Sequence, residues 1–273
     1  MRERNIADRT AGGLDPFELL DRPLSARSVI ASLLLGMKPP ALSARRLVQW
    51  CALFGVNEGT ARTALSRMVE RGELATADGV YDLAGRVRRR QPAQEWSLAP
   101  EVRAWDGDWL LGVVTAGARS AEDRGALRDA VRRLRMAELR EGVWTRPDNL
   151  PRAAAPVDAW KAADEQCAWW TGRPDADAGA LARRLFDPTS WATRARVLRR
   201  RLSESTAALD PERGDRIAAA FVVGAATLAH VRADPLLPIE LCGSGWPGDA
   251  LRAAYHDYQI AFDATARKWF RQR

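Results

Sequence analysis

The sequence predicts a multidomain α+β protein in three parts, and three observations support this fold class. Helical periodicity near the N-terminus is followed by a short hairpin pattern. The middle of the chain alternates short apolar strand patterns with helical ones, and the last third is almost entirely helical in pattern. We place the parts at residues 23–85, 105–186 and 187–273, with a flexible arm at 1–22 and a linker at 86–104.

The first part is predicted to be a winged helix-turn-helix. Its pattern indicates helices over residues 25–35, 42–54 and 57–71, followed by strands over 73–76 and 80–83. Asn57 is a good N-cap for the third helix, Gly55 suits the turn before it, and Asp78-Gly79 suits the turn of the hairpin. Three helices followed by a small hairpin are typical of this DNA-binding motif.

The third helix is predicted to be a recognition helix. Its face opposite the apolar residues interleaves short hydrogen-bonding groups with arginines: Thr60, Arg62, Thr63, Ser66 and Arg67. Such side chains suit a helix that lies in the major groove of DNA, where arginines read guanine edges. The alternative is an ordinary amphipathic helix with a solvated polar face.

Two further groups of arginines are predicted to contact the DNA backbone. Arg45 and Arg46 lie early in the second helix, and Arg88, Arg89 and Arg90 follow the hairpin. For the second group, a solvated linker is the alternative. The net charge of +7 favours a polyanionic partner only weakly, because an excess of arginine over lysine this strong reflects coding composition.

Composition also bears on the cellular compartment. No apolar run reaches the roughly 18 residues that a membrane span needs, and the polar N-terminus lacks the apolar core of a signal peptide. We therefore expect a cytoplasmic protein with no membrane partner. Cys51, Cys167 and Cys242 are scattered without paired spacing, which argues against a disulfide framework or a zinc site.

The second and third parts are predicted from their periodicity. Strands over residues 110–114, 139–145 and 166–171 and helices over 121–135 and 177–186 give an order that indicates a ferredoxin-like domain. The third part has helical patterns over 188–209, 212–232 and from 249 onward. The loop at 234–248 is rich in proline and glycine but also in apolar residues, so we expect it to be packed.

Few residues suggest catalysis, and we expect no enzyme, no metal and no cofactor. His230 and His256 have no neighbours that imply a catalytic triad, and no glycine-rich phosphate loop is present. Asp106 and Asp108 precede a strand and flank Gly107 as turn residues do, although some nucleases hold a divalent metal with an aspartate at the end of a strand. Five tryptophans of the second part are expected in its core and interfaces, with a ligand platform as the alternative: Trp105, Trp109, Trp144, Trp169 and Trp170.

Four segments of the chain together form a pattern: RTALSRMV at residues 62–69 with Gly72, WDGDW at 105–109, GVWTRP at 142–147 with Asn149-Leu150, and LPIEL at 237–241 running into Trp246-Pro247-Gly248. This pattern resembles that of the PaaX family of transcriptional repressors. The segments occur in the order of the family pattern, and the resemblance covers the chain from about residue 25 to residue 260. The chain departs from the family pattern in its short hairpin turn, Ala77-Asp78-Gly79, and in the stretch 242–245.

The resemblance implies a winged helix, a central domain similar to the Cas2 fold and a helical C-terminal domain. It also implies a homodimer that binds a double-stranded DNA operator, represses genes of phenylacetate or related aromatic catabolism, and is released by an aryl-CoA thioester such as phenylacetyl-CoA. The effector site is open; by analogy it lies among the C-terminal helices, with Arg199, Arg200, Arg201 and Arg252 as possible phosphate ligands. Two alternatives are a metal-dependent nuclease that uses Asp106 and Asp108, and an adaptor whose winged helix binds protein.

Overall fold

The computed structural model describes residue 19 and residues 24–272, which form a mixed α+β protein. Two small sheets are followed by a largely helical C-terminal region, in agreement with the predicted class. The flexible arm predicted at residues 1–22 lies, except for Leu19, outside the described residues.

Each helix of the N-terminal unit begins directly after a residue whose side chain caps it. Its elements are α1 (Ala26–Gly36), β1 (Ala41–Ser43), α2 (Ala44–Ala52), α3 (Glu58–Glu70), β2 (Leu74–Ala77) and β3 (Val80–Leu83). Ser25, Ser43 and Asn57 each accept a hydrogen bond from a first-turn amide of α1, α2 and α3.

The second helix begins two residues later than predicted. Ser43 has the extended backbone of an N-cap, and residues 41–43 therefore continue as a strand rather than a helix. That strand, β1, pairs antiparallel with β3, and the sheet has the order β1-β3-β2. Strand β1 was not predicted.

The segment predicted as a linker contains two helices, α4 (Gly85–Arg88) and α5 (Arg90–Leu98). Pro92 did not prevent helix formation, because it occupies the first turn of α5, where its missing N–H is not needed. Helix α5 packs on the C-terminal helices, and Ser97 accepts a hydrogen bond there through its carbonyl.

The central unit alternates strands and helices around a four-stranded sheet. Its elements are β4 (Trp109–Val114), α6 (Ala121–Arg133), β5 (Ala137–Arg140), β6 (Val143–Pro147), α7 (Val157–Asp164) and β7 (Cys167–Gly172). The strand order is β5-β6-β4-β7, and every neighbouring pair is antiparallel.

Two predictions in this unit were wrong. The single strand predicted over 139–145 is a hairpin of β5 and β6, because Gly142 adopts a positive φ of 75° and reverses the chain. Helix α7 was not predicted, although Ala159, Trp160 and Ala163 give it a buried face that packs with α6.

The C-terminal region contains α8 (Ala178–Phe186), α9 (Pro188–Ala207), α10 (Gly214–Arg232), α11 (Ile239–Cys242) and α12 (Gly248–Arg271). The loop between α10 and α12 is packed as predicted, since Leu236, Leu237 and Leu241 are buried. Among the described helices, α10 is long and apolar enough to cross a membrane, but more than half of that stretch is buried within the protein. Its contacts with α9 and α12 account for its hydrophobicity as that of a core helix.

The N-terminal unit shares its core with the C-terminal helices. Trp50 of α2 is fully buried, and its ring centroid lies 5.4 Å from Phe221 of α10, 5.9 Å from Trp269 and 5.8 Å from Phe270 of α12. One hydrophobic cluster therefore extends from α1–α3 into α10 and α12.

Candidate nucleic-acid interface

Helix α3 exposes the whole of the predicted polar face. Thr60, Arg62, Thr63, Ser66 and Arg67 are all solvent-exposed. The opposite face is buried and contributes Ala61, Leu65 and Met68 to the core. The apolar face thus fixes the rotation of the helix, and that rotation presents the arginines and hydroxyls to solvent as one surface.

Hydrogen bonds distinguish the residues of this face. The Arg62 Nε donates to Glu58 Oε1 at 2.7 Å, and the Thr63 hydroxyl donates to the Gly59 carbonyl at 2.8 Å. Ser66 and Arg67 have no side-chain hydrogen bond or ion pair to any other described residue. Arg67 and Ser66 are therefore available to a ligand at once, whereas Arg62 must first leave Glu58.

The start of α1 and the face of α3 border a groove with a volume of about 590 Å³. Its lining includes Thr60, Thr63, Arg67, Arg27 and Arg71. Arg27 forms a bidentate ion pair with Glu73 at 2.7 and 2.8 Å. This pair lowers the pKa of Glu73 and neutralises an acidic group just after α3.

Arg27 and Arg71 were not predicted as interface residues. Arg27 lies 46 positions before Glu73, and no local pattern links the two. Arg71 follows the last residue of α3 directly, so its position after the predicted recognition helix was the available signal.

The other predicted DNA-contacting arginines occupy different surroundings. Arg45 and Arg46 are exposed at the start of α2, and the Arg46 guanidinium lies 5.8 Å from the ring centroid of Phe270. Arg88 pairs with Asp82 of the hairpin at 3.5 Å, and Arg89 is exposed. Arg90 instead lines a cavity formed with α1, α10 and α12.

The hairpin between β2 and β3 turns at Asp78 and Gly79, whose φ values are 50° and 75°. Residues 75–80 are exposed and include one acidic and no basic side chain. The tip of the hairpin therefore offers no positive charge to a phosphate backbone.

Asp106 and Asp108 stabilise a turn before β4. The Asp106 carboxylate accepts from the Asp108 amide at 3.2 Å, and Gly107 has a φ of 103°. Arg173 donates to the Asp108 carboxylate at 3.1 Å and to the Asp106 carbonyl at 2.7 Å. Within residues 24–272, no group of three or more histidine, cysteine or acidic residues is arranged to hold a metal ion.

Most of the predicted tryptophan cluster belongs to packed regions. Trp109 is buried, and Trp169 packs edge-on against Trp160 with ring centroids 5.1 Å apart. Trp170 is the exception, because half of its surface is exposed on the edge strand β7.

One of the segments that carry the family resemblance forms a buried polar network with Leu236, the residue just before another of them. Arg146 is almost fully buried and donates to Asn149 Oδ1 at 2.7 Å and to the Leu236 carbonyl at 3.2 Å, and burial lowers its pKa to about 9. The Asn149 amide donates to the same carbonyl at 2.9 Å. These residues join the central unit to the loop between α10 and α12.

The family comparisons support a DNA-binding transcriptional regulator, the class of protein that the sequence of α3 predicted. Two family models match the chain, that of the PaaX-like protein over residues 25–87 and that of the PaaX-like protein C-terminal domain over residues 186–272. A solved structure, the uncharacterized protein Rv0674 from Mycobacterium tuberculosis, is 39% identical to the chain and has a TM-score of 0.64.

The match with that structure covers 89% of this chain and 97% of the other. No curated protein matches the chain significantly. The chain belongs to the PaaX-like family, and the resemblance noted from the four sequence segments is confirmed.

Proposed function

We propose that the protein is a cytoplasmic, homodimeric transcriptional repressor of genes for aromatic-acid catabolism of the phenylacetate type, released from its operator by an aryl-CoA thioester. The observation that carries the proposal is the exposed face of α3, on which Ser66 and Arg67 have no partner among the described residues. The family membership supports a regulator rather than an enzyme.

In this proposal the N-terminal unit acts as a winged helix-turn-helix. Helices α2 and α3 are the paired helices, and the β2–β3 hairpin is the wing. Arg67 and Arg62 read guanine edges, the hydroxyls of α3 contact bases or phosphates, and Arg45, Arg46, Arg88 and Arg89 contact the backbone. The tip of the wing has no basic side chain, so the backbone contacts fall to these arginines.

The central unit is proposed to have the ferredoxin-like fold and to serve assembly. Its β-α-β-β-α-β order and its antiparallel sheet of order β5-β6-β4-β7 support this interpretation. A two-fold symmetric dimer would match a palindromic operator, with one α3 in each half-site. Sedimentation of the protein alone and on DNA tests the dimer.

The first experiment is a binding titration with DNA from upstream of the protein's own gene and its neighbours. It is run across a range of salt concentrations, with and without a panel of aryl- and acyl-CoA thioesters. We expect tight binding that weakens steeply with salt, because phosphate contacts release counterions, and release by one aryl thioester. Failure to bind at low salt would exclude the recognition-helix assignment, whereas binding that no thioester relieves would exclude the effector class alone.

A further inference from the structure

A cavity of about 240 Å³ lies where the N-terminal unit meets the C-terminal helices. Helices α1, α5, α10 and α12 form its walls, and the rings of Phe221, Tyr255, Tyr258 and Phe262 line it. Pockets for drug-sized ligands have volumes of about 300–1,000 Å³, and this cavity lies just below that range, as expected for a ligand of one aromatic ring with a short side chain. Its size and aromatic lining suit a single ring.

Two tyrosines of this lining carry hydroxyl groups that have no hydrogen-bond partner within the described part of the chain. Tyr255 and Tyr258 are only 5% and 4% exposed, and neither hydroxyl forms a hydrogen bond with a described residue. The Tyr258 hydroxyl lies directly over Gly224, another lining residue, where any Cβ would clash with it. A ligand in the cavity that has an acceptor group can therefore accept a hydrogen bond from these hydroxyls.

The solvent-exposed part of the lining carries uncompensated positive charge. Arg90 and Arg232 both line the cavity, and neither has an ion pair with another described residue. Burial lowers the pKa of Arg232, and the neighbouring Arg90 and Arg133 lower it further. Asp263 is the acidic residue of the lining, but it already pairs with Arg267 at 2.8 Å.

A second, larger groove continues from the cavity. It has a volume of about 630 Å³ and shares Ala229 and Arg232 with the cavity. Arg132, Arg133 and Arg135 also line it, against one acidic residue, Glu138. Arg132 and Arg133 already pair with Asp129 and Asp158, so Arg135, which has no ion pair with a described residue, is the charge that extends beyond the space of a single ring.

We propose that the cavity binds an aromatic acyl group that carries an anionic group, with the ring among Phe221, Tyr255, Tyr258 and Phe262 and the anion at Arg90 and Arg232. The anion is either the carboxylate of the free acid or a phosphate of its coenzyme A thioester, for which the neighbouring groove has room. This inference rests on the proposed function, because it assigns a binding site to the aryl effector proposed there.

The position of the cavity also indicates how the ligand acts on the DNA-binding unit. Leu33 and Leu35 of α1 form one wall, and Phe221 and Phe262 contact Trp50 of α2 on the side of the shared core. A ligand in the cavity therefore touches both the unit that carries α3 and the helices that support it, and it can shift their relative arrangement if it binds one arrangement better.

The test is calorimetric titration of the full-length protein, without DNA, with phenylacetate, phenylacetyl-CoA and acetyl-CoA. Two variants address the two parts of the site: Arg232→Gln removes one charge, and Ala225→Leu fills the cavity from the same helix. Arg216→Gln is the matched control, because Arg216 is an exposed arginine of α10 outside the cavity. Thermal unfolding verifies that each variant is folded.

We expect one aryl probe to bind at one site per chain, about tenfold more weakly in Arg232→Gln and more weakly still in Ala225→Leu, with Arg216→Gln unchanged. Binding of phenylacetate itself identifies the anion as the carboxylate, and binding of the thioester alone identifies it as a phosphate. The assignment is overturned if neither aryl probe binds, if acetyl-CoA binds equally well, or if both variants bind like wild type. Since DNA is absent, these results are independent of whether the protein binds an operator.

Discussion

Asp234 and Arg252 form a buried ion pair at 2.7 Å that joins three segments of the fold. The Asp234 carboxylate also accepts from the Leu236 amide at 2.9 Å, and the Arg252 Nε donates to the Ser97 carbonyl of α5 at 3.0 Å. Gly248 makes room for the pair, because a Cβ there would lie 3.0 Å from Asp234 Oδ2. The pair thus fixes the 234–248 loop to α12 and to α5.

Removal of the Asp234 carboxylate is expected to destabilise the protein strongly. In Asp234→Ala, Arg252 remains buried without its counter-ion, and loss of one partner of a buried pair costs about 3–5 kcal/mol. Urea denaturation measures the difference in the free energy of unfolding. Asp249→Ala is the control, since Asp249 contacts the same arginine at 3.8 Å from a fully exposed position; equal losses in both variants would contradict this account.

Arg67→Ala is expected to reduce specific operator affinity by about 1–3 kcal/mol, because Arg67 has no competing partner among the described residues and projects from the exposed face of α3. Titrations of operator and unrelated DNA at the same salt concentration measure this loss. Arg128→Ala removes an equal charge from the exposed face of α6 and should bind like wild type. If Arg67→Ala also binds like wild type, α3 is not the recognition helix.

Glu58→Gln is expected to strengthen DNA binding. The Glu58 carboxylate holds Arg62 at 2.7 Å and places a negative charge at the start of α3. Removal of that charge frees the guanidinium for DNA and reduces repulsion of the phosphates, and the gain should shrink as salt rises. Filter binding at low and high salt tests this expectation; a weaker complex at low salt would show that the Arg62–Glu58 pair positions the arginine instead.

Stability is expected to fall as His230 becomes protonated. His230 stacks on Trp191 with ring centroids 4.6 Å apart, and burial lowers its pKa below 6.5, with a further lowering by Arg194 and an opposing effect of Asp234. The unfolded chain binds the proton at a higher pH than the folded protein does. The contribution of neutral His230 to the free energy of unfolding is therefore complete above pH 6.5 and is lost as the pH falls from 6.5 toward the pKa of the folded state.

Thermal unfolding between about pH 5 and pH 8 measures how stability depends on the protonation of His230, because this range includes the histidine pKa. His230→Gln should flatten it. The exposed His256→Gln variant controls for the removal of a histidine, and an unchanged slope in His230→Gln would assign the dependence to other groups.

Signals within a few residues of the sequence predicted the helix cap and the hairpin turn. Asn57 caps α3 and Asp78-Gly79 forms the hairpin turn because both depend on residues close in sequence. The hairpin of β5 and β6 was missed although Glu141-Gly142 offered a turn signal, because the seven residues from 139 to 145 have the length of one strand.

The tertiary features of the candidate sites were not predictable in this way. Arginine is usually exposed, so no local signal predicts that Arg146 is buried. Its burial depends on distant acceptors such as the Leu236 carbonyl, 90 positions away in sequence. The cavity is lined by residues from Ser32 to Ala266, so no spacing in the chain indicates it. Such sites depend on which helices pack together, and apolar periodicity alone does not specify that pairing.

The burial of Trp50 against Trp269 and Phe270 means that the last turns of the chain complete the hydrophobic core beneath α2. An N-terminal fragment that ends after α5 would expose this aromatic surface to water, although it would keep every residue of the α3 face. The N-terminal unit therefore does not keep its core when it is separated from the C-terminal helices. Shortening the protein at its C-terminus, some 200 positions beyond α3 in sequence, removes side chains that pack beneath α2 and so weakens the support of α3.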